Sequence, residues 1–206
     1  TYNFGYDAEN RLVSVTPRAP VNGSQKTEYI YDYMGRRVSR KVFTYSGGWP
    51  GSPSAQTNYV WHGWRMIAEL DELNGDALTA AYVWGLDLSA TFEGAGGIGG
   101  LLMVDKRTSG STRALAYTYD GNGNVAQLVT LDNGATGATY EYDPYGNLIT
   151  SSGTYASWNP YRCCSKFLDS VPALTYFGFR DASSRLGRWI TRDPIGEAGG
   201  PNLFLY

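Results

Sequence analysis

The stretch that decides the fold is Tyr29-Ile30-Tyr31-Asp32-Tyr33-Met34-Gly35-Arg36-Arg37-Val38. Tyr-x-Tyr is strict alternation, so both rings project from one face of a strand. Asp32 then opens a turn by accepting backbone N–H groups on its carboxylate. Three residues on, Gly35 tolerates the left-handed backbone that closes a short hairpin loop. The residues beyond begin a return strand, apolar in other copies such as Leu12-Val13 and Leu148-Ile149, and the whole reads as one β-hairpin.

The same pattern returns along the chain. It stands at Phe4-Gly5-Tyr6-Asp7-Ala8-Glu9-Asn10-Arg11-Leu12-Val13, at Tyr117-Thr118-Tyr119-Asp120-Gly121-Asn122-Gly123-Asn124-Val125, and at Tyr140-Glu141-Tyr142-Asp143-Pro144-Tyr145-Gly146-Asn147-Leu148-Ile149. Asp7, Asp32, Asp120 and Asp143 are the turn-forming acids, with Gly35, Gly123 and Gly146 (Asn10 in the first copy) closing the loops. Pro144 suits the second turn position because its φ is already near −65°. Degenerate copies lie at Tyr59 to Ile67, where His62 replaces the acid, and at Tyr82 to Asp87. A lone hairpin is marginal in water, so copies side by side are expected to bury continuous aromatic ladders in one long sheet.

Composition agrees. The 206 residues carry 26 Gly, 17 Tyr and 6 Trp, with only 17% charged residues. Disordered chains lack such aromatics, and no apolar run approaches the ~18 residues of a membrane helix, so no membrane insertion is expected. A net charge of −2 offers no electrostatic footprint for nucleic acid. One histidine and two adjacent cysteines, Cys163 and Cys164, cannot supply the usual zinc ligands. No metal and no cofactor is expected, and any chemistry falls to carboxylates. Adjacent cysteines bridge each other only through a strained ring, so they are read as free or partnered elsewhere. Thr1 is not an initiating Met and nothing near it resembles a signal peptide, so the sequence reads as a piece of a longer chain. Residues 44–57 and 91–100 read as loops, and Arg65 to Leu73 as strand despite some helical spacing.

The Tyr-Asp hairpins resemble the YD repeats of the RHS class, found in bacterial polymorphic toxins, insecticidal toxin complexes and animal teneurins. Past Asn159 the likeness sharpens to the RHS repeat-associated core domain. It rests on Asn159-Pro160-Tyr161-Arg162, Gly178-Phe179-Arg180, Gly187-Arg188-Trp189-Ile190, Arg192-Asp193-Pro194-Ile195-Gly196, Gly199-Gly200 and Asn202-Leu203. The resemblance implies an all-β fold of antiparallel hairpins forming a long curved sheet, part of a hollow shell. Residues 1–150 would be the YD-repeat array and 151–206 the core segment, continuous with it. It also implies a secreted or cell-surface bacterial protein whose partners are its own upstream repeats and a downstream C-terminal domain.

In toxin members the core domain acts as an aspartic self-protease, and the matching residues here are Arg192 and Asp193. A second Asp-Pro-x-Gly-Leu motif, which holds the cleavage point in the family, does not occur before Tyr206. Aspartic proteolysis needs two carboxylates sharing a proton. Asp181 and Glu197 are the nearest in sequence, without a spacing that makes either a partner. Whether the parent is an enzyme therefore stays open. The chain departs from family habit at Cys163-Cys164 and at Asp181-Ala182-Ser183, where a Tyr-rich strand is usual; both departures read as local drift.

Each chemical reading has a plainer rival. Asp193-Pro194-Ile195-Gly196 repeats the turn chemistry of Asp143 to Gly146. Gly94-Ala95-Gly96-Gly97-Ile98-Gly99 matches a dinucleotide fingerprint in letters, but a strand-like run follows where a helix is needed. His62, between Trp61 and Trp64, fits a turn or stacking role. Flat Tyr and Trp rings suit sugar faces, which leaves glycan as a partner reading, although ladder packing explains them more simply. An alternative function is an adhesion or self-assembling surface module, associating through its edge strands.

Overall fold

A computed structural model describes residues 1–108 and 110–205; Tyr206, the last residue of the assigned core segment, lies outside them. The fold is all-β, as the alternation predicts. Twelve strands follow one another in sheet order. They are β1 Tyr2–Tyr6, β2 Leu12–Pro17, β3 Gln25–Tyr31, β4 Arg37–Thr44, β5 Ala55–His62 and β6 Arg65–Asp71. Then come β7 Ala77–Trp84, β8 Leu101–Thr108, β9 Ser111–Tyr119, β10 Val125–Thr130, β11 Thr136–Tyr142 and β12 Leu148–Ser152. A second sheet holds β13 Phe167–Asp169, β14 Leu174–Tyr176, β15 Asp181–Ser183 and β16 Arg188–Trp189.

Two expected boundaries shift. Thr44 and Ala55 to Thr57 belong to strands, which leaves 45–54 as the loop. Asp71 caps a short 3₁₀ turn, Glu72–Asn74, by accepting the Leu73 amide on its side chain.

The chain divides into two compact units. One comprises Thr1–Tyr59, Asp71–Ala77 and Asp169–Tyr206; the other comprises Val60–Leu70 and Leu78–Leu168. Each hairpin turn is built alike. The Asp amide donates to the carbonyl four residues on, and the amide three residues on donates back to the Asp carbonyl, at 2.9–3.1 Å in all four copies. One carboxylate oxygen accepts the amides at positions two and four after the Asp, as with Met34 and Arg36 on Asp32, both at 2.9 Å. The other oxygen takes the side chain at position four: Arg11 Nε at 2.7 Å, Arg36 Nε at 2.8 Å, Asn124 Nδ2 at 2.8 Å and Asn147 Nδ2 at 2.7 Å. The closing residue has φ of 61° at Asn10 and 81° at Gly35, the left-handed region that suits these two types.

The paired rings share a face, as alternation requires. Tyr29, Tyr117 and Tyr140 are buried, whereas the intervening Ile30 is exposed. In the three Tyr-x-Tyr copies the second ring reaches the neighbouring hairpin. Tyr31 donates its hydroxyl to the Leu12 carbonyl at 2.7 Å, Tyr142 to Val125 at 3.0 Å, and Tyr119 to Leu101. Trp84 does the same through Nε1 to Met66 at 2.7 Å. Leu12, Val125, Leu101 and Met66 are themselves buried. Burial of such side chains contributes about 1.5–3 kcal/mol each.

The sequence reading ends the copy at Tyr82 with Asp87, but the structure continues it as a further turn. Ser89 N donates to Asp87 Oδ1 at 2.9 Å, and Ala90, at φ 59°, donates its amide to the Asp87 carbonyl. The second Asp87 oxygen gathers the amides of Ala95 at 2.7 Å and Gly97 at 3.0 Å. The glycine-rich loop thus wraps an anion supplied by the chain itself.

Burial opposes ionisation of Asp87, but hydrogen bonds from Ser89, Gly97 and Ala95 outweigh it and hold the carboxyl down to about 2. At Asp7 and Asp32 burial likewise opposes, and the amides and guanidinium groups of Arg11 and Arg36 prevail, leaving both carboxyls below the ordinary range. At Asp143 the Asn147 side chain and amide lower the carboxyl in the same way.

Replacing Asp32 by Ala removes three hydrogen bonds to a carboxylate and is expected to lower stability by about 1–3 kcal/mol in urea unfolding. Tyr33→Ala, in the same turn but 93% exposed, should change it by less than about 0.5 kcal/mol. The lowered carboxyls bind protons more weakly in the folded chain than in the unfolded one. Their stabilisation is therefore complete above the ordinary value of 3.8 and is lost as pH falls through the folded values, about 2 for Asp87. The urea midpoint should drop as pH falls below about 4, and less steeply in Asp87→Asn.

Candidate functional site

The residues after Asp169 build the site around Asp193. β14, β15 and β16 form antiparallel pairs, with Thr175 opposite Ala182 and Ala182 opposite Trp189. Trp189 is buried and meets Phe177 edge-on at 5.0 Å. The Arg180 guanidinium lies over the Trp189 ring, 4.1 Å from its centre. That stacking aims Arg180 at Asp193, where Nη1 reaches Oδ2 at 2.9 Å. Asp193 Oδ1 accepts the Ile195 amide at 3.0 Å, and Gly196 donates its amide to the Asp193 carbonyl at 3.0 Å. The chain then loops back, so that Asp193 N donates to the Leu203 carbonyl at 2.9 Å and Trp189 N to Phe204 at 3.2 Å. A Cβ on Gly199 would come within 3.1 Å of Asp193 Oδ2, so a glycine there leaves room for the carboxylate.

Of the sequence-derived pair, Asp193 is half-buried and Arg192 is exposed. The ionic partner of Asp193 among the described residues is Arg180, not Arg192. As it stands the site has one oriented, charge-balanced carboxylate, which shares with Asp143 only the bonds from the amides two and three residues on. It can orient a group or exchange a proton, and acid–base work of the aspartic type needs a second carboxyl.

Asp181 does not serve Asp193. It is buried, and its Oδ1 accepts Arg37 Nη2 at 2.9 Å. Arg37 is itself 2% exposed and sandwiched between the rings of Tyr29 at 3.8 Å and Tyr176 at 4.3 Å. Asp169 completes the cluster, taking Arg40 Nε and Nη2 at 2.8 Å each and the Tyr29 hydroxyl at 2.7 Å. Burial pushes the Asp181 carboxyl above its ordinary range, and the charge and hydrogen bond of Arg37 only partly offset it. The reading of Asp181 as local drift is thereby corrected: it is the buried counter-ion of a repeat arginine. The signal lay in the repeat itself. Five residues after the turn acid stand Leu12, Val125 and Leu148 in the other copies, and Arg37 in this one.

The turn acids Asp7 and Asp32 with Gly35 lie in the first unit, and Asp120 and Asp143 with Gly123 and Gly146 in the second. In that second unit the Asn159-Pro160-Tyr161-Arg162 motif is an anchor. Tyr161 meets Tyr82 and Trp84 edge-on at 5.1 and 5.7 Å. Asn159 Oδ1 accepts the Tyr117 hydroxyl and the Tyr161 amide, both at 2.9 Å. Arg162 lies over Tyr140 at 4.3 Å. Among the described residues no cluster of three or more His, Cys, Asp or Glu could hold a metal, and no helix is long and apolar enough to cross a membrane.

No family model matches the chain. It is 25% identical over 223 residues to double-stranded DNA deaminase toxin A of Burkholderia cenocepacia (strain H111), covering 100% of this chain and 14% of that protein. It is 26% identical over 222 residues to toxin subunit YenC1 of Yersinia entomophaga, covering 98% of this chain and 20% of the relative. The chain thus spans a fifth or less of these curated relatives. Among solved structures it resembles TcdB2-TccC3, with a TM-score of 0.66 at 18% identity over 99% of this chain and 10% of that one. It resembles equally a Photorhabdus luminescens Tc holotoxin pore, with a TM-score of 0.65 at 18% identity over 99% of this chain and 9% of the other. The relatives are bacterial toxin proteins, and the likeness to the solved structures shows a shared all-β fold.

Arg37→Met leaves the Asp181 carboxylate buried without its cation, while Asp169 keeps Arg40, and is expected to cost about 3–5 kcal/mol. Adding Asp181→Leu should restore most of that loss, read as the urea midpoint of the double variant against the single one.

Proposed function

We propose that this chain is a wall segment of a bacterial toxin of the RHS/YD-repeat class, enclosing a polypeptide that follows it in the parent protein. The observation that carries the reading is the recurrence of one Asp-centred turn and one hydroxyl-to-carbonyl rung from hairpin to hairpin. Such a unit extends a sheet by repetition and presents no ready-made catalytic cleft. Toxin relatives match nearly the whole chain within much longer proteins, which supports a segment role. On this reading residues 1–150 are the repeat array and 151–206 the core segment, the protein is secreted, and its partners are adjoining repeats and the enclosed C-terminal part.

In the same reading Asp193 is one carboxyl of an aspartic self-cleaving pair, held in place by Arg180, with Arg192 beside it. The second carboxyl comes from the sequence that follows. The test uses the parent protein, native and Asp193→Asn, on a denaturing gel and under limited trypsin treatment. The enclosed part is expected to resist trypsin in both proteins and to be released from the wall only in the native one. Equal cleavage in both excludes Asp193 as the catalytic acid. Trypsin digestion of the C-terminal part as fast as when it is expressed alone overturns the enclosure.

A further inference from the structure

Cys163 and Cys164 occupy a tight turn in the second unit, with their sulfurs 3.4 Å apart. Cys164 and Ser165 both have left-handed backbones, with φ of 54° and 52°. The strained turn is pinned from three sides. Cys164 N donates to Asn124 Oδ1 at 2.8 Å, Ser165 Oγ donates to the Gly123 carbonyl at 2.7 Å, and Gly99 N donates to Ser165 Oγ at 2.8 Å. Backbone strain held by its surroundings is a mark of function, and here it sets two half-buried thiols side by side.

The electrostatics around the two sulfurs are unequal. Lys166 is half-buried; burial works against its ammonium form, and the charges of Cys164 and Asp87 partly offset this. A neighbouring ammonium favours the thiolate form of a cysteine. Cys163 is pushed the other way: its hydrogen bond to Cys164, burial, the charge of Cys164 and the carboxylates of Asp120 and Asp143 all keep its proton on. Of the two thiols, Cys163 is the one held in its protonated form.

We propose that Cys163 and Cys164 form a redox modification site that reacts with a low-molecular-weight disulfide and closes to a vicinal disulfide. In the first step the Cys164 thiolate attacks one sulfur of the external disulfide, forming a mixed disulfide and releasing one thiolate. Once Cys164 is a mixed disulfide, it no longer offers a thiolate acceptor for the Cys163 proton, which removes its hydrogen bond and its charge together. Cys163 then loses its proton and attacks the Cys164 sulfur, breaking the mixed disulfide and releasing the second thiolate. The two cysteines lose two electrons, the external disulfide gains them, and the protons leave with the released thiols. Consecutive Cα atoms sit about 3.8 Å apart, below the ~4.4–6.8 Å usual across a disulfide, so the closed ring is strained and readily reduced. The site is accordingly reversible and not a structural staple. Neither the wall role nor the part assigned to Asp193 is needed for it.

The test treats the folded chain with excess oxidised glutathione, then reads the intact mass and that of the tryptic peptide spanning residues 163–166. A mass about 2 Da lower, with no retained glutathione and full reversal by dithiothreitol, is expected. Cys163→Ser should trap one glutathionyl group on Cys164, whereas Cys164→Ser should react at least about tenfold more slowly. An unchanged mass, stable glutathione on both cysteines, or a covalent dimer in the native chain overturns the proposal. Equal rates for the two variants overturn the assignment of Cys164 as the attacking thiol.

Discussion

A buried phenol must set its hydroxyl on an acceptor, since an unmatched polar group away from water costs about 1–3 kcal/mol. In this chain the acceptor for the second ring of each Tyr-x-Tyr is the first carbonyl of a neighbouring return strand, as with Tyr31 on Leu12 and Tyr142 on Val125. A hairpin therefore satisfies its own tyrosine only when another hairpin lies beside it. The turns make this repeatable, because each Asp carboxylate fixes the loop through the same two amides and one side chain. Sheet growth by identical steps follows from these two local requirements.

The second hairpin departs from the rule by burying Arg37 where the other copies place an aliphatic residue. The cation is matched by aromatic faces and, from the segment that begins at Asp169, by the carboxylates of Asp181, at 2.9 Å, and Asp169, at 4.0 Å. The same segment presents Asp193 through Arg180. Structural charge and candidate chemistry are thus kept apart: Asp181 serves packing, and Asp193 keeps a partly open carboxylate paired to a cation that rests on Trp189.

Much of this was legible from residue order. Period-two tyrosines, turn acids and left-handed closers are local features, so the hairpins could be placed strand by strand. Side-chain partners at long range could not. Nothing around Asp181 announces that Arg37 needs it, and nothing around Arg180 names Asp193, because those pairings depend on how the short strands return. The Asp87 turn escaped because two residues separate its acid from the preceding aromatics. The thiol contact escaped because it needs a left-handed cysteine, which the letters do not disclose.

The discontinuity of the first unit bears on how the protein is made. Arg37 precedes its counter-ion Asp181 by 144 residues, and Tyr6 precedes the carbonyl of Ile190, which accepts its hydroxyl, by 184. At about 5–20 residues per second, a ribosome takes roughly 7–30 s to deliver Asp181 after Arg37. For that interval the early hairpins hold an unmatched cation and open aromatic faces, while the hairpins of the second unit can close as they emerge. The nascent chain therefore has a fixed window of exposure in its first third, where a holding chaperone would act.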